Sequence, residues 1–354
     1  MSSPILLTGG ACLAGTGLEE MRPARIVVDD GSIKQIGSRS TEPADEIDLR
    51  DLTLIPGFID AHVHIGFFPP GEVLLGGVTT VRDLGWPPAL IKPLVEESTS
   101  SGWPGPRIVA AGPMLTCPGG YPTRAAWAPA GTGRVVEGIE DARTAVEERV
   151  ADGSTIVKVA LNPAAGPVLE RSVLEAICEH AHENGLRVTG HIFGLSELHK
   201  GLDAGLDELA HMLMSPDRIP DETLARMVEQ DVACVPTLAI HRWRMKRVAT
   251  ENLSRFAALG GRVVYGTDLG NGPRPGIDPR EVRCMTDAGM DGRAIIASAT
   301  VRSAQWLGIE KMGVLAAGMQ ADIIGVRGNP LVDPRCLADV RFVMRAGVVH
   351  RGPR

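Results

Sequence analysis

The sequence predicts an α/β protein built as a (β/α)8 TIM barrel, with a small β-sandwich domain assembled from both ends of the chain. Three observations lead to this prediction. Short apolar runs alternate with helix-like segments through the middle of the chain, both flanks contain β-like runs instead, and polar residues stand at the ends of several apolar runs. Strands that alternate with helices pair in parallel through right-handed crossovers, and eight such units in roughly 250 residues are typical of this barrel.

The predicted barrel strands cover residues 54–60, 79–84, 107–113, 155–161, 187–192, 208–213, 233–238 and 262–266. The predicted helices cover residues 139–151, 172–184, 195–204, 221–230 and 251–259. Gly185 and Gly205 follow two of these helices, where a left-handed cap is expected. An open doubly wound sheet is the alternative, but such a sheet usually has a glycine-rich phosphate loop after its first strand. Here the first strand runs into His62-Val-His64, which favours the barrel.

The flanks contain short β-like runs, and Asp30-Gly31 between two of them is a hairpin signal. Neither flank is large enough to bury a core alone, so we expect both to meet in one β-sandwich. The predicted domains are therefore 1–53, the first part of the β-sandwich, 54–312, the metal-dependent barrel, and 313–354, the rest of the β-sandwich.

Composition narrows the class of protein. The chain has 354 residues, a net charge of −7 and 44% hydrophobic residues, and its mean hydropathy is +0.05. It contains no apolar run of membrane-spanning length, and the N-terminus lacks the features of a secretory signal. Six scattered cysteines without a C-x-x-C pair indicate reduced thiols, and the absence of a basic run argues against nucleic acid. We expect a cytoplasmic protein that acts on a small molecule and has no membrane partner. The sequence is also compatible with a homo-oligomer.

The pair His62 and His64 is the first sign of a metal site. Residues i and i+2 of a strand point to the same face, so both imidazoles can reach one cation. Alone this pair is a weak signal, because histidines at a strand end are often ordinary polar residues. The signal is strengthened by four further polar residues at the ends of their own apolar runs: Lys158, His191, His211 and Asp268. In a barrel these ends meet on one face.

Lys158 lies among β-branched residues in the segment 156–160, where burial of a cation is expensive. In one interpretation its amine extends to a polar barrel mouth. In the other, carbon dioxide converts the amine to a carbamate that bridges two metal ions. The accompanying histidines and aspartate favour the second interpretation.

The chain resembles the amidohydrolase superfamily, in particular its imidazolonepropionase-like and prolidase-like members. The segments that carry the resemblance span nearly the whole chain: residues 54–64, the run GVTTVRDLG at 77–85, the Lys158 strand, His191 with His211 twenty residues later, YGTDLG at 265–270, and GVLAAGMQAD at 313–322 followed by GNPLVD. The ordered set of His-x-His, Lys, His, His and Asp is a strong signal when taken together.

The resemblance implies a role for each of these residues. His62, His64 and Asp268 would bind one divalent ion, His191 and His211 a second, and carbamylated Lys158 both. Zinc is the expected metal, and either one or two ions would be held. A metal-activated hydroxide would attack an amide carbon, with Asp268 as the proton shuttle. One departure is His191-Ile-Phe193, where family members often have His-Ala-His, so a substrate-side histidine is absent. Because Lys158 is not always carbamylated in this branch, a single-metal site stays open.

The function implied is hydrolysis of an amide bond in a dipeptide, an N-acyl amino acid or a cyclic amide. The alternatives are a deaminase or an imidazolonepropionase-like single-metal hydrolase on the same scaffold, and a non-catalytic relative. Deaminases usually place a glutamate just after the fifth-strand histidine, which this chain lacks, and a non-catalytic relative would have lost ligands. The predicted substrate-binding residues are Tyr121, Arg124 and His241, with Arg242 and Asn271 also near the rim. Arg124 is the best candidate if the substrate carries a carboxylate.

Overall fold

The computed structural model describes residues 3–37, 44–100, 102–272 and 274–352. Residues 1–2, 38–43 and 353–354 of the predicted flanking domains lie outside the described residues, as do residues 101 and 273. The strands are β1 Ile5–Ala14, β2 Glu19–Met21, β3 Ala24–Asp29, β4 Ser32–Ile36, β5 Asp45–Pro56, β6 Phe58–Val63, β7 Val78–Asp83, β8 Arg107–Ala110, β9 Met114–Thr116, β10 Gly133–Val135, β11 Val157–Leu161, β12 Val188–Ile192, β13 Glu208–Leu209, β14 Ala233–Cys234, β15 Ile323–Arg327, β16 Val340–Arg345 and β17 Val348–Arg351.

The helices are α1 Pro70–Leu75, α2 Pro88–Ser98, α3 Ile139–Ala151, α4 Arg171–Glu183, α5 Leu195–Ala204, α6 Asp221–Glu229, α7 Trp243–Ala258, α8 Pro279–Asp287, α9 Gly292–Ala299 and α10 Val301–Leu307. Short 3-10 turns occur at Ile65–Phe67, Leu238–Ile240 and Pro334–Ala338. Throughout the described ranges, no helix combines the length and the apolar character needed to cross a lipid bilayer.

The predicted mixture of helices and strands is confirmed, but several predicted bounds are wrong. The first predicted strand, 54–60, is divided between β5 and β6 by Gly57. A side chain is excluded at Gly57, since a Cβ there would lie 2.3 Å from the Thr79 hydroxyl oxygen. The strands predicted at 208–213 and 233–238 are shorter in the structure, where β13 and β14 have two residues each.

The last predicted strand, 262–266, forms only an isolated bridge between Val263 and Cys234. Its backbone does not build a regular ladder with one neighbour. The amide of Val264 donates to Cys234 of β14 at 3.0 Å, whereas the amide of Tyr265 donates to Ser298 in α9 at 3.0 Å. Residues 262–266 still lie between β14 and β6, where the last predicted strand is expected.

Both ends of the chain contribute to one sheet. Within the described residues, its strand order is β17-β16-β15-β5-β1-β3-β4, with β2 beside β1. The long strand β5 joins the two flanks, because it runs parallel to β1 and antiparallel to β15. Buried side chains from both flanks, such as Leu7, Ile26 and Phe342, form one apolar cluster against this sheet. The two flanks therefore bury their apolar surface together.

The middle of the chain forms two parallel sheets, with described strand orders β6-β7-β8 and β10-β9-β11-β12-β13-β14. Backbone hydrogen bonds connect them on both sides. On one side Thr155, just before β11, donates to Ala110 of β8 at 3.1 Å. On the other, Cys234 of β14 donates to Arg262 at 2.9 Å, and Ala61 of β6 donates to Tyr265 at 2.9 Å. The polar residues at the carboxyl ends of these strands consequently face one another.

A buried ion pair connects strands that are distant in sequence. Arg82 of β7 donates to a carboxylate oxygen of Glu208 in β13 at 2.6 Å and to the Ala61 carbonyl at 2.8 Å. The other oxygen of Glu208 accepts from Trp306 of α10 at 2.5 Å. Arg82 is 2% exposed and Glu208 fully buried. Because each carboxylate oxygen has a donor, the pair offsets much of the cost of removing two charges from water.

Replacing Glu208 by Ala is expected to lower the free energy of unfolding by about 3–5 kcal/mol, since it leaves Arg82 buried without its counter-charge. Urea unfolding of the wild type and the variant measures the difference. The control is Glu175→Ala, which removes an exposed pair with Arg171 on α4 (N–O distance 2.7 Å) and should cost less than about 1 kcal/mol. Equal losses in the two variants would contradict this role for the buried pair.

Candidate metal centre

The end of β6 is fixed by a carboxylate that the sequence reasoning missed. One oxygen of Asp60 accepts from the backbone amides of His62 and Thr267, each at 3.1 Å, and the other accepts from the Thr267 hydroxyl at 2.6 Å. These bonds connect the strand end that carries His62 and His64 to the segment that carries Asp268. The spacing in the sequence could have identified Asp60, because it precedes His62 by two residues and therefore lies on the same face of the strand.

His62 and His211 are each oriented through one ring nitrogen. The Nδ1 atom of His62 lies 2.7 Å from the Ala210 carbonyl oxygen, which can only accept, so Nδ1 carries the hydrogen. The Nδ1 atom of His211 lies 2.8 Å from the Thr237 hydroxyl oxygen. Such partners hold an imidazole in place and leave its Nε2 atom available as a metal ligand.

Asp268 lies beside both histidines of the pair. Its Oδ1 atom is 3.4 Å from the Nε2 atom of His62 and 3.4 Å from that of His64. Its Oδ2 atom accepts from the Asn271 amide group at 2.9 Å. Its backbone has a φ of 55°, a left-handed conformation that aspartate tolerates, and its amide donates to the His62 carbonyl at 2.8 Å. Oδ1 is buried and accepts no hydrogen bond from any described residue, a costly state that a bound cation would relieve.

The potential ligand atoms of three residues, His62, His211 and Asp268, lie within 4.8 Å of one another. His64 joins this group through Asp268. The ring of His191 packs against that of His211, with centroids 4.8 Å apart, and its Nε2 atom is 3.3 Å from the Asn162 amide nitrogen. The structure therefore brings the predicted histidines and the aspartate into one cluster.

Burial keeps three imidazoles of this cluster, those of His62, His191 and His211, neutral. It holds the pKa of His62 and of His211 well below the ordinary value, and it lowers the pKa of His191 to about 3. The positive charge of Lys158 acts in the same direction on His62 and His191. Neutral imidazole is the form that binds metals, so the protonation state suits a metal site.

Lys158 is 1% exposed, and its amine has no hydrogen-bond partner among the described residues. Burial lowers the pKa of this amine to about 7, although the negative charges of Asp268 and Glu208 oppose the shift. A substantial fraction of the amine is then uncharged near neutral pH, and the uncharged form is the one that can react with carbon dioxide. The lysine therefore fits the predicted carbamate, and it also fits a neutral amine beside a single ion.

Aromatic rings cover one side of the cluster. The ring of Tyr121 lies 5.0 Å from that of His191, and the ring of Trp127 lies 5.2 Å from that of His64. Burial raises the pKa of Tyr121 to about 12, so its phenol stays protonated. The sequence analysis did not identify Trp127, although a tryptophan six residues after Tyr121, in a loop of small residues, could have indicated it.

Arg124, a predicted substrate-binding residue, is exposed and makes no described contact with the cluster.

His241 lies behind a turn that is held by a distant carboxylate. The turn Leu238–Ile240 presents two backbone amides to Glu281 of α8, at 2.9 and 2.7 Å. Thr237, just before the turn, has a φ of 43°, which is strained for a β-branched residue. Nothing in the local sequence pattern identified Glu281, because its partners are about forty residues away in the chain.

The chain is similar to known proteins in sequence and in fold. The sequence model of the amidohydrolase family matches residues 71–352. An uncharacterized protein of Mycobacterium tuberculosis is 27% identical over 368 residues, covering 94% of each chain. Ochratoxinase of Aspergillus niger is 22% identical over 431 residues, covering 98% of this chain and 87% of its own. The crystal structure of a Xaa-Pro dipeptidase with methionine bound in its active site has a TM-score of 0.84 at 24% identity, covering 99% of this chain and all of the other.

Proposed function

The chain belongs to the amidohydrolase family and is a hydrolase that acts on C–N bonds, and from this premise we propose that it is a metal-dependent enzyme that cleaves an amide bond. The substrates proposed are a dipeptide, an N-acyl amino acid or a cyclic amide. The observation that carries the proposal is a buried carboxylate oxygen and a buried amine, both without described partners, among buried imidazoles. Such a set of donors is incomplete without a cation.

The proposed scaffold is a closed (β/α)8 barrel over residues 54–312 with a β-sandwich built from residues 1–53 and 313–354. The backbone hydrogen bonds that connect the two parallel sheets at both sides support closure. The sheet shared by the two flanks supports the β-sandwich. In a barrel of this kind the carboxyl ends of the strands form the catalytic face, which is where the metal cluster lies.

The residues present fit divalent ions, because imidazole nitrogens and carboxylate oxygens are the donors that zinc binds in catalytic sites. His62, His64 and Asp268 would hold one ion, His191 and His211 a second, and carbamylated Lys158 both. A single-ion site is the alternative, and the close approach of His62, His211 and Asp268 favours it. In that case Lys158 stays a neutral amine.

The proposed mechanism assigns the proton transfers to Asp268. A bound divalent ion lowers the pKa of water and polarises a carbonyl oxygen. Asn271 holds one oxygen of Asp268, which leaves the other oriented toward His62 and His64. The carboxylate of Asp268 can accept a proton from the attacking water and deliver it to the nitrogen as the C–N bond breaks. The products are a carboxylate and an amine, and the rings of Tyr121 and Trp127 restrict access of bulk water from one side.

Elemental analysis of metal-replete protein is expected to find about one or two divalent ions per chain, zinc being the expected metal. A chelator should remove both the metal and the amidase activity, and added metal should restore them. His62→Ala should lower the metal content. The control His182→Ala, which changes an exposed histidine paired with Asp207 (N–O distance 2.9 Å), should leave it unchanged. Metal-replete protein without stoichiometric metal would contradict the proposed site.

A further inference from the structure

A cavity of about 760 Å³ opens next to the metal cluster. It is lined by His241, by Asn271 and by side chains of α7 and α8. Asn271 also donates to Asp268 at 2.9 Å, so the cavity borders the cluster at this residue.

The cavity is lined by cationic side chains, some of which are neutralised within the protein. Arg280 pairs with Asp278 at 2.5 Å, and Arg247 lies 3.8 Å from Glu251. Arg242 and Lys246 differ, because neither side chain makes a hydrogen bond or an ion pair with any described residue. The acidic side chain that also lines the cavity, Asp287, is not paired with either of them.

Arg242 and Lys246 occupy positions where cations are unfavourable. They are the N-cap and a first-turn residue of the 16-residue helix α7, and the Lys246 amide donates to the Arg242 carbonyl at 3.3 Å. The first turn contains no acidic residue, and the helix dipole disfavours cations at this end. An anion bound in the cavity would relieve this effect.

His241 is a second, independent sign of a ligand. It is 3% exposed and lines the cavity, yet neither of its ring nitrogens makes a hydrogen bond of normal geometry with a described residue, the backbone of Met212 being the near neighbour. Buried polar groups are nearly always hydrogen-bonded, so an unsatisfied imidazole in a cavity wall indicates a missing polar partner. The Glu281 bonds to the preceding turn fix the position of this side chain.

We propose that the cavity binds a carboxylate of the substrate, which is then an N-acyl amino acid or a dipeptide with a free carboxylate and not a cyclic amide. This proposal rests on the proposed amide hydrolysis. In both compounds the carboxylate lies on the amine side of the scissile bond. Arg242 and Lys246 pair with that carboxylate, and His241 donates a hydrogen bond to the same end of the substrate. These residues determine specificity and leave the bond-breaking step to the metal cluster.

The kinetic test compares N-acetyl-L-amino acids with their carboxamides, which have the same scissile bond without the negative charge. Wild-type enzyme should hydrolyse the acids with kcat/KM about 10-fold to 100-fold higher, as expected for charge-assisted hydrogen bonds. Arg242→Gln and Lys246→Met should each lower kcat/KM about tenfold for the acids, mainly through KM, and should lower it much less for the carboxamides. The control is Arg244→Gln, an exposed cation on α7 that does not line the cavity. Equal rates for acids and carboxamides, or equal losses for both, would overturn the proposal.

A binding test separates this proposal from the proposed function. N-ethyl-L-leucine and its carboxamide lack the scissile carbonyl, and their apolar side chain suits the Ala239 and Ile240 walls. Calorimetry should show that the metal-loaded protein binds the acid more tightly, and that Arg242→Gln and Lys246→Met, unlike Arg244→Gln, weaken it. If this pattern holds but no amide is hydrolysed, the cavity assignment stands and the proposed hydrolysis is wrong. If amides are hydrolysed but the acid and carboxamide bind alike, the cavity assignment is wrong.

Discussion

Asp268→Asn is expected to lower kcat by about 10²–10⁴-fold while KM changes little, the range associated with loss of a positioned acid or base. Asparagine keeps the size and shape of the side chain and its hydrogen bond with Asn271 can be retained, but it cannot accept a proton at the reacting centre. An interaction used mainly in the transition state affects kcat more than substrate binding. Steady-state kinetics on an N-acyl amino acid measures the effect.

Two controls sharpen this test. Asp231→Asn makes the same substitution at an exposed aspartate with a similar left-handed backbone, φ 53° against 55°. It weakens the ion pair of Asp231 with Arg262 (N–O distance 2.9 Å) and should leave kcat unchanged. Metal content of the Asp268 variant separates loss of a ligand from loss of a proton carrier. Near-normal turnover in a fully metallated Asp268→Asn enzyme would remove the proton-transfer role.

Lys158→Ala is expected to lose most of the activity and much of the metal. The loss in kcat/KM should exceed the roughly 10–100-fold that removal of a residue supporting a metal ligand costs, because the carbamate would itself be a ligand. The variant should still fold, since the amine it removes is buried without a described partner. A short-chain carboxylic acid should restore part of the activity and the metal by occupying the place of the carbamate. Kinetics and elemental analysis at increasing acid concentration measure both effects.

The matched control for this substitution is Lys92→Ala, which removes an exposed lysine paired with Asp152 (N–O distance 2.7 Å). It should change neither metal content nor rescue by the acid. Electron density that ends at a bare amine in fully metallated protein would contradict the bridge. That outcome would favour the single-ion site of His62, His211 and Asp268.

The sequence was sufficient for features that depend on local periodicity. The helices α3 and α5 have the predicted bounds, because their apolar spacing and flanking glycines are read from consecutive residues. The strand period of two placed His62 and His64 on one face, and the rhythm of strands and helices placed the remaining predicted ligands on the same side of the fold. The resemblance to the amidohydrolase family rested on these ordered residues, and the family's sequence model matches residues 71–352.

Only the tertiary structure decided which groups are paired and which are left without partners. The strand predicted at 262–266 has no regular ladder because its amides divide between β14 and α9. Glu281 supports the turn before His241 from another helix. Arg124, the predicted reader of a carboxylate, does not line the cavity next to the metal cluster, whereas Arg242, which is also exposed, and Lys246 line it without counter-charges. Apolar periodicity is a local property of the chain, but hydrogen-bond partners, burial and charge pairing depend on residues brought together by folding, and these determine the chemistry of the site.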